Sequence, residues 1–419
     1  MASRLRNSPA LLLAGLAAAC YEPPLSPRGP APITQLPRAL TGAERRLVEA
    51  DNRFTFKIFR ELAARESPEA NIFVSPLSMA MALGMTYNGA AGLTAEGMAR
   101  ALELEGLTLD DVNRSYRDLI ALLRGLDPGV TFEIANSIWS DSGYPVRPSF
   151  IETNRAYFDA VVQSLEFSDP AAAAIINGWV NEKTRGRIPE IVPDPLPPDL
   201  VMYLINAIYF KGDWTRRFDK NLTREAPFRL RDGGTTTVQM MTHGKPVEVR
   251  VSHDGGFAIL DLPYAGRAFS MTVVLPREPG GIDALVAGLT QTQWDAWIAA
   301  LDSADLEVRL PKFSQAYKPD SLEAALHSLG MTPAFCDESG VDLSGIAGSP
   351  GTLCISSVAH KAFVDVNEEG TEAAAATAIG LIDSAPSTFT VDRPFVFAIR
   401  ENLSGTILFI GRILHPRVG

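Results

Sequence analysis

Glu368-Glu369-Gly370-Thr371-Glu372-Ala373-Ala374-Ala375-Ala376-Thr377-Ala378-Ile379-Gly380-Leu381-Ile382-Asp383-Ser384-Ala385-Pro386 is the stretch whose reading decides what this chain folds into. Strand-like runs flank it, Ala362 to Val366 before and Phe395 to Arg400 after. Nineteen residues is long for a connection inside a compact domain. The four successive alanines favour helix, yet Gly370, Gly380 and Pro386 interrupt it. At period two, Thr371, Ala373, Ala375, Thr377, Ile379 and Leu381 share one face, small at its start and apolar at its end. Glu372, Ala374, Ala376, Ala378 and Gly380 share the other. A segment with one buriable face can become a strand. Small side chains suit chain that lies exposed in one state and slips between neighbours in another. Composition alone favours a flexible Ala-rich surface loop.

Outward from this stretch, the body reads as a mixture of helices and strands. Thr41 and Glu44 fit a capping box that opens a helix, and Phe54, Ile58 and Leu62 follow at the spacing of a buried helical stripe. Ser78 to Tyr87 is a second helical candidate. Strand-length runs follow at Phe132 to Trp139, Val201 to Phe210, Phe269 to Leu275 and Leu306 to Phe313, punctuated by turns such as Asp232-Gly233-Gly234. Helices come early and strands late, without regular alternation, which predicts an α+β fold rather than a doubly wound sheet. No internal repeat and no second linker occurs, so residues 41–419 read as one large domain.

The N-terminus reads as an address followed by a tether. Arg4 and Arg6 precede an apolar run from Pro9 to Ala19, and Ala17-Ala18-Ala19 supplies a small-residue cleavage pattern, so residues 1–19 read as a signal peptide. Cys20 follows directly, as in a bacterial lipobox, although the leucine usual three places before the cysteine is Ala17 here. The reading is an exported protein, either anchored through a lipidated Cys20 at a periplasmic or cell surface or secreted. Pro23, Pro24, Pro27, Pro30, Pro32 and Pro37 make residues 20–40 an extended spacer.

Composition excludes several function classes. Lys and Arg number 38 against 49 Asp and Glu, so the formal charge is −11, the wrong sign for a general nucleic-acid binder. Hydrophobic residues at 46% exclude a wholly disordered chain. No apolar run reaches the ~18 residues of a spanning helix. Besides Cys20 only Cys336 and Cys354 occur; sequence favours two buried free thiols over a bridge, without settling it. There is no CxxC and no HExxH, and the five histidines are scattered, so no metal and no cofactor is expected. A Ser/His/Asp hydrolase is disfavoured by the absence of a G-x-S-x-G elbow.

A series of ordered motifs then narrows the reading. Asn71-Ile-Phe-Val-Ser-Pro-Leu-Ser78, Asn177-Gly-Trp-Val-Asn-Glu-Lys-Thr184-Arg-Gly186-Arg-Ile188 and Leu204-Ile-Asn-Ala-Ile-Tyr-Phe-Lys-Gly-Asp-Trp214 come first. Leu262-Pro-Tyr264, Leu310-Pro-Lys-Phe313, Leu329-Gly-Met331, Asp342-Leu-Ser-Gly345, His360-Lys-Ala362, Asp392-Arg-Pro-Phe-Val-Phe397 and Gly411-Arg412 follow. Together they resemble the serpin family from about Leu47 to Pro416. The resemblance implies three β-sheets, eight to nine helices and an exposed reactive-centre loop, which residues 368–386 match. It implies a suicide inhibitor of serine or cysteine proteases. The protease cleaves the loop, becomes acylated, and is dragged away as the loop inserts into sheet A. Thirteen residues from Thr371 to Asp383, at ~3.3 Å each, would carry the cut end about 43 Å.

Residue by residue, the resemblance makes Glu368, Glu369, Gly370, Thr371, Glu372, Ala373, Ala374, Ala375, Ala376 and Thr377 the hinge. Its small, uncharged entry position at Thr371 fits the inhibitory pattern; a serpin without inhibitory action, serving as carrier or chaperone, is the alternative. Ser75, Ser78, Asn206 and His360 match the polar cluster that governs sheet opening, and Trp214 the point of loop entry. Counting back from Pro394 places the reactive bond at Asp383–Ser384, the reading adopted because Ser commonly follows the cut; counting forward from Gly370 gives Ser384–Ala385 as the alternative. The first suits an aspartate-selective protease and the second an elastase-like one; no Arg or Lys lies between Thr371 and Phe389 to attract a trypsin-like enzyme. Glu103 and Glu105 mark the helix D region as acidic, against heparin-type activation. The expected partner is the target protease, and the expected state a monomer.

Overall fold

A computed structural model describes residues 31–336, 340–356, 358–371 and 387–418. Cys20, Glu372–Thr377 of the hinge and both candidate reactive bonds lie outside the described residues.

Nine α-helices occur among the described residues: α1 (Gly42–Arg65), α2 (Pro76–Tyr87), α3 (Gly92–Ala101), α4 (Leu109–Arg124), α5 (Pro148–Phe158), α6 (Ala171–Lys183), α7 (Gly281–Gly288), α8 (Gln291–Ala299) and α9 (Leu322–Leu326). The first starts where its capping box demands: Thr41 Oγ1 accepts from the Glu44 N–H at 3.2 Å and Glu44 accepts from the Thr41 N–H at 2.6 Å. Phe54, Ile58 and Leu62 are wholly buried along one face of α1. Glu103 and Glu105 fall in the connection before α4 rather than in that helix, and Glu103 pairs with Arg53 and Lys57 of α1.

Three sheets organise the molecule. The largest hydrogen-bonded path runs β1 (Ile72–Val74), β16 (Ile407–Ile413), β15 (Phe395–Glu401), β9 (Phe269–Pro276), β8 (Phe257–Pro263), β7 (Val247–Asp254) and β10 (Asp302–Pro311). Strand β10 passes from this sheet into another. Its Asp302–Leu306 half pairs with β7, while Arg309–Pro311 pairs with β6 (Thr235–Thr242), which pairs in turn with β5 (Arg224–Arg229). Strand β14 (Thr388–Thr390) runs parallel to β10, so the chain leaving the 368–386 stretch is anchored there.

The third sheet carries the site. Strands β3 (Val161–Leu165), β2 (Val130–Asp141), β4 (Met202–Asp213) and β13 (Gly370–Thr371) are hydrogen-bonded in that order. Beyond them, and among the described residues, β12 (Ala362–Val366) pairs only with β11 (Phe313–Tyr317). Sequence had joined Leu306 to Phe313 as one strand. The chain instead leaves one sheet at Pro311 and enters another at Phe313, with Lys312 at the crossing. Strands β2 and β4 are buried on both faces, Phe132, Ile134 and Phe210 against the main core and Trp139, Tyr203 and Ile205 beneath Ile176 and Val180 of α6.

Cys336 and Cys354 form a disulfide, correcting the free-thiol reading. The Ile355 N–H donates to the Ala334 carbonyl and the Cys336 N–H to the Ile355 carbonyl, which brings the two Cα atoms to 4.9 Å, within bridging range. Nothing local in the sequence encodes that pairing.

Candidate functional site

The backbone at Gly370 dictates where the long stretch begins. Its φ is +152°, a conformation that side-chain-bearing residues rarely adopt, and a Cβ there would lie 2.2 Å from the Gly212 carbonyl oxygen. Only glycine lets the chain approach β4 this closely. Gly370 then opposes Asp213 and Thr371 opposes Gly212 in antiparallel register. Among the described residues no register joins β4 to β12. The sheet is therefore divided along one seam, and the two-residue β13 sits at one end of it.

Trp214 closes the top of this seam. Its indole N–H donates to the Asn367 carbonyl at 2.9 Å and its backbone N–H to the Glu369 carbonyl at 2.8 Å, while the Phe218 N–H reaches the Glu368 carbonyl at 2.8 Å. The Trp214 ring stacks on Tyr264 at 4.5 Å and meets Phe218 edge-on. The two hinge glutamates are held from separate elements. Glu368 accepts from Thr223 Oγ1 at 2.8 Å and from Lys312 Nζ at 3.1 Å, and Glu369 pairs with Lys220. Burial pushes the Glu368 carboxyl up, but Thr223, its own backbone N–H and Lys312 outweigh this and hold it below the usual range.

Beneath the seam lies a buried polar network. The Ser75 N–H donates to His360 Nε2 at 3.2 Å, and Ser75 Oγ donates to the Leu408 carbonyl of β16 at 2.7 Å while capping α2. Ser78 Oγ donates to Asn206 Oδ1 at 2.5 Å. The Asn206 amide donates across the sheet to Asn136, its direct partner on β2, and Asn136 donates to the Phe158 carbonyl closing α5. Exposure is 1% at Ser75, 3% at Ser78, 6% at Asn206 and 5% at His360, so every unmade bond here would be costly. Burial pushes His360 down to about 3. Its ring is thus neutral, with Nε2 free to accept.

On the opposite face the turn after α6 straddles the seam. Arg185 lies over Tyr209 of β4 at 4.9 Å, and Arg187 lies over Phe363 of β12 at 5.1 Å. Each such contact is worth about 0.5–1 kcal/mol. The two arginines clasp strands that no backbone register joins.

All four polar-cluster residues and Trp214 therefore converge on one seam, together with Glu368, Glu369, Gly370 and the backbone of Thr371. Sequence reading missed Asn136, Asn367, Thr223, Lys220 and the two arginines. Lys312, Arg185 and Arg187 stood inside quoted motifs without a role; Asn136, Asn367, Thr223 and Lys220 carry no local signal, because their partners are distant in the chain. Arranged this way, the residues can hold a seam shut and admit a strand from one end. They bring no nucleophile and base together.

Comparison with known proteins agrees with this geometry. A family model described as serpin (serine protease inhibitor) matches residues 49–416. The leukocyte elastase inhibitor of Bos taurus is 36% identical over 383 residues, covering 88% of this chain and 99% of its own length. Iripin-2 of Ixodes ricinus is 35% identical over 382 residues, covering 88% and 94%. The thermophilic serpin tengpin in its native state superposes with a TM-score of 0.80 at 29% identity, covering 92% of this chain and 96% of its own. With the divided sheet, the buried cluster and these matches, the chain belongs to the serpin family.

Proposed function

We propose that this protein is a suicide-type inhibitor of serine endopeptidases, with cysteine endopeptidases as a further class. The observation that carries this is the seam: Gly370 and Thr371 already sit on the free edge of β4, so the residues after them need only continue in register to become a strand. A target protease would attack the bait carbonyl, release the new amine end and remain esterified to the loop. Each backbone hydrogen bond gained on insertion contributes ~0.5–1.5 kcal/mol net, so a dozen yield on the order of 10 kcal/mol to displace the enzyme. The protein is an inhibitor rather than an enzyme.

The bait is Asp383–Ser384 or Ser384–Ala385. Relatives that bear the name elastase inhibitor make an elastase-like enzyme the first candidate, and an aspartate-selective one the second. Incubation with such a panel is expected to give an SDS-stable complex whose mass is near the sum of both partners. Clean cleavage without a complex across the panel would favour the carrier reading instead.

Residues 1–19 are proposed as a signal peptide, Cys20 as a lipidated residue, residues 20–40 as the tether and residues 41–419 as the inhibitory domain of a monomeric, exported protein of bacterial type. Palmitate labelling is expected in the parent and not in Cys20→Ser; equal labelling of both would end the anchoring proposal.

A further inference from the structure

The proline-rich arm does not merely space the domain from its anchor. From Ile33 onward it lies against the body, with Ile33, Leu36 and Leu40 partly buried on the core and the residues between them exposed. Its far end is fastened to α1: Arg38 forks onto the Glu44 carboxylate at 2.8 and 2.5 Å, and Arg45 donates to the Leu40 carbonyl at 2.6 Å. Its near end is fastened to the turn between β8 and β9. There the Ile33 N–H donates to the Gly266 carbonyl at 2.7 Å, and Ile33 Cδ1 lies 3.0 Å from where a Cβ on Gly266 would project.

That turn is under strain and borders the seam. Ala265 and Arg267 have φ of +36° and +69°, left-handed values that a non-glycine residue adopts only under strain. Surrounding bonds keep the turn in place. The Ala265 N–H donates to the Asp213 carbonyl at 2.7 Å, Thr215 Oγ1 donates to the Ala265 carbonyl at 2.9 Å, and the Gly266 N–H donates to Asp127 Oδ2 at 2.9 Å. Asp213 is the partner of Gly370, and Tyr264 at the start of the turn stacks on Trp214. One unbroken set of contacts runs from Ile33 through Gly266, Ala265 and Asp213 to the hinge.

We propose that residues 33–40 are a strap that presses the 264–268 turn against the top of β4 and so resists entry of the loop into the seam. Loosening the strap, by cutting it or by pulling on its anchored end, frees the strained turn and lets Asp213 and Trp214 part from residues 367–370. The consequence for inhibition rests on the inhibitory reading above; the contact itself does not.

Hydrogen exchange on the full chain separates the two. Ile33→Pro removes the N–H that reaches Gly266, and Ile33→Asp removes the apolar contact. In each variant, amides of 212–218 and 367–371 are expected to exchange about tenfold faster than in the parent, with β15 and β16 unchanged. Acceleration in one variant alone supports the strap and assigns it to the bond or to the contact. Parental rates at the seam in both variants, or acceleration spread evenly over the molecule, would overturn the strap. Neither readout needs a protease, so absence of inhibition would defeat the functional reading and leave the strap standing.

Discussion

Thr371→Arg is expected to turn the protein from a trap into a substrate: the bait is still cut, but the SDS-stable complex disappears. The stoichiometry of inhibition should rise at least about tenfold. Thr371 opposes Gly212 at the mouth of the seam, immediately after the tight approach at Gly370. Insertion must carry this position between β4 and β12 before any later residue can follow. A guanidinium taken between two strands gives up its water, at a cost of several kcal/mol. That penalty falls at the start of insertion, when few new hydrogen bonds have formed to offset it. Hydrolysis of the acyl-enzyme then wins the race. Thr371→Ser, small and uncharged, should behave as the parent. Parental inhibition by the arginine variant would mean that insertion does not proceed past this point.

Acid is expected to loosen the same seam through His360. Its folded pKa, about 3, lies below the ordinary 6.5. The unfolded chain therefore binds the proton first, and stability present above pH 6.5 is lost as the pH falls toward 3. Between pH 6.5 and 5 the loss is about 2 kcal/mol, at ~1.4 kcal/mol per unit. His243, pushed down by burial to about 4, adds in the same sense. Asp51, pushed up by burial to about 7 against the opposing Tyr116 hydrogen bond, acts the other way. Glutamine at 360 can accept from Ser75 and does not titrate, so His360→Gln isolates the effect. The first denaturation midpoint of the parent should drop more between pH 7 and 5 than that of His360→Gln. Equal drops would place the acid sensitivity elsewhere.

Local chemistry was legible in the sequence. Thr41 and Glu44 predicted the start of α1, and the Phe54, Ile58, Leu62 spacing predicted its buried face. Gly370 stood out because its role is set by its own backbone. The polar cluster was legible only through family motifs: Ser75 and Ser78 share one helical turn, but Asn206 arrives from β4 and His360 from the segment preceding β12. The crossing at Lys312, the bridge between Cys336 and Cys354 and the docking of Ile33 on Gly266 are all decided by which segments become neighbours. Periodicity carries no record of that. The prolines of residues 20–40 suggest an extended chain but carry no record of the surface on which residues 33–40 lie.

The seam between β4 and β12 admits a single strand, and filling it leaves no second position for another. An inhibitor built on it is consumed molecule for molecule. The quantity of protease such a population can silence is then set by the number of intact copies present and by how fast each springs, rather than by an affinity. Any leak that springs copies without a protease attached shrinks that number, so a fastening that delays premature closure would extend the working life of the whole population.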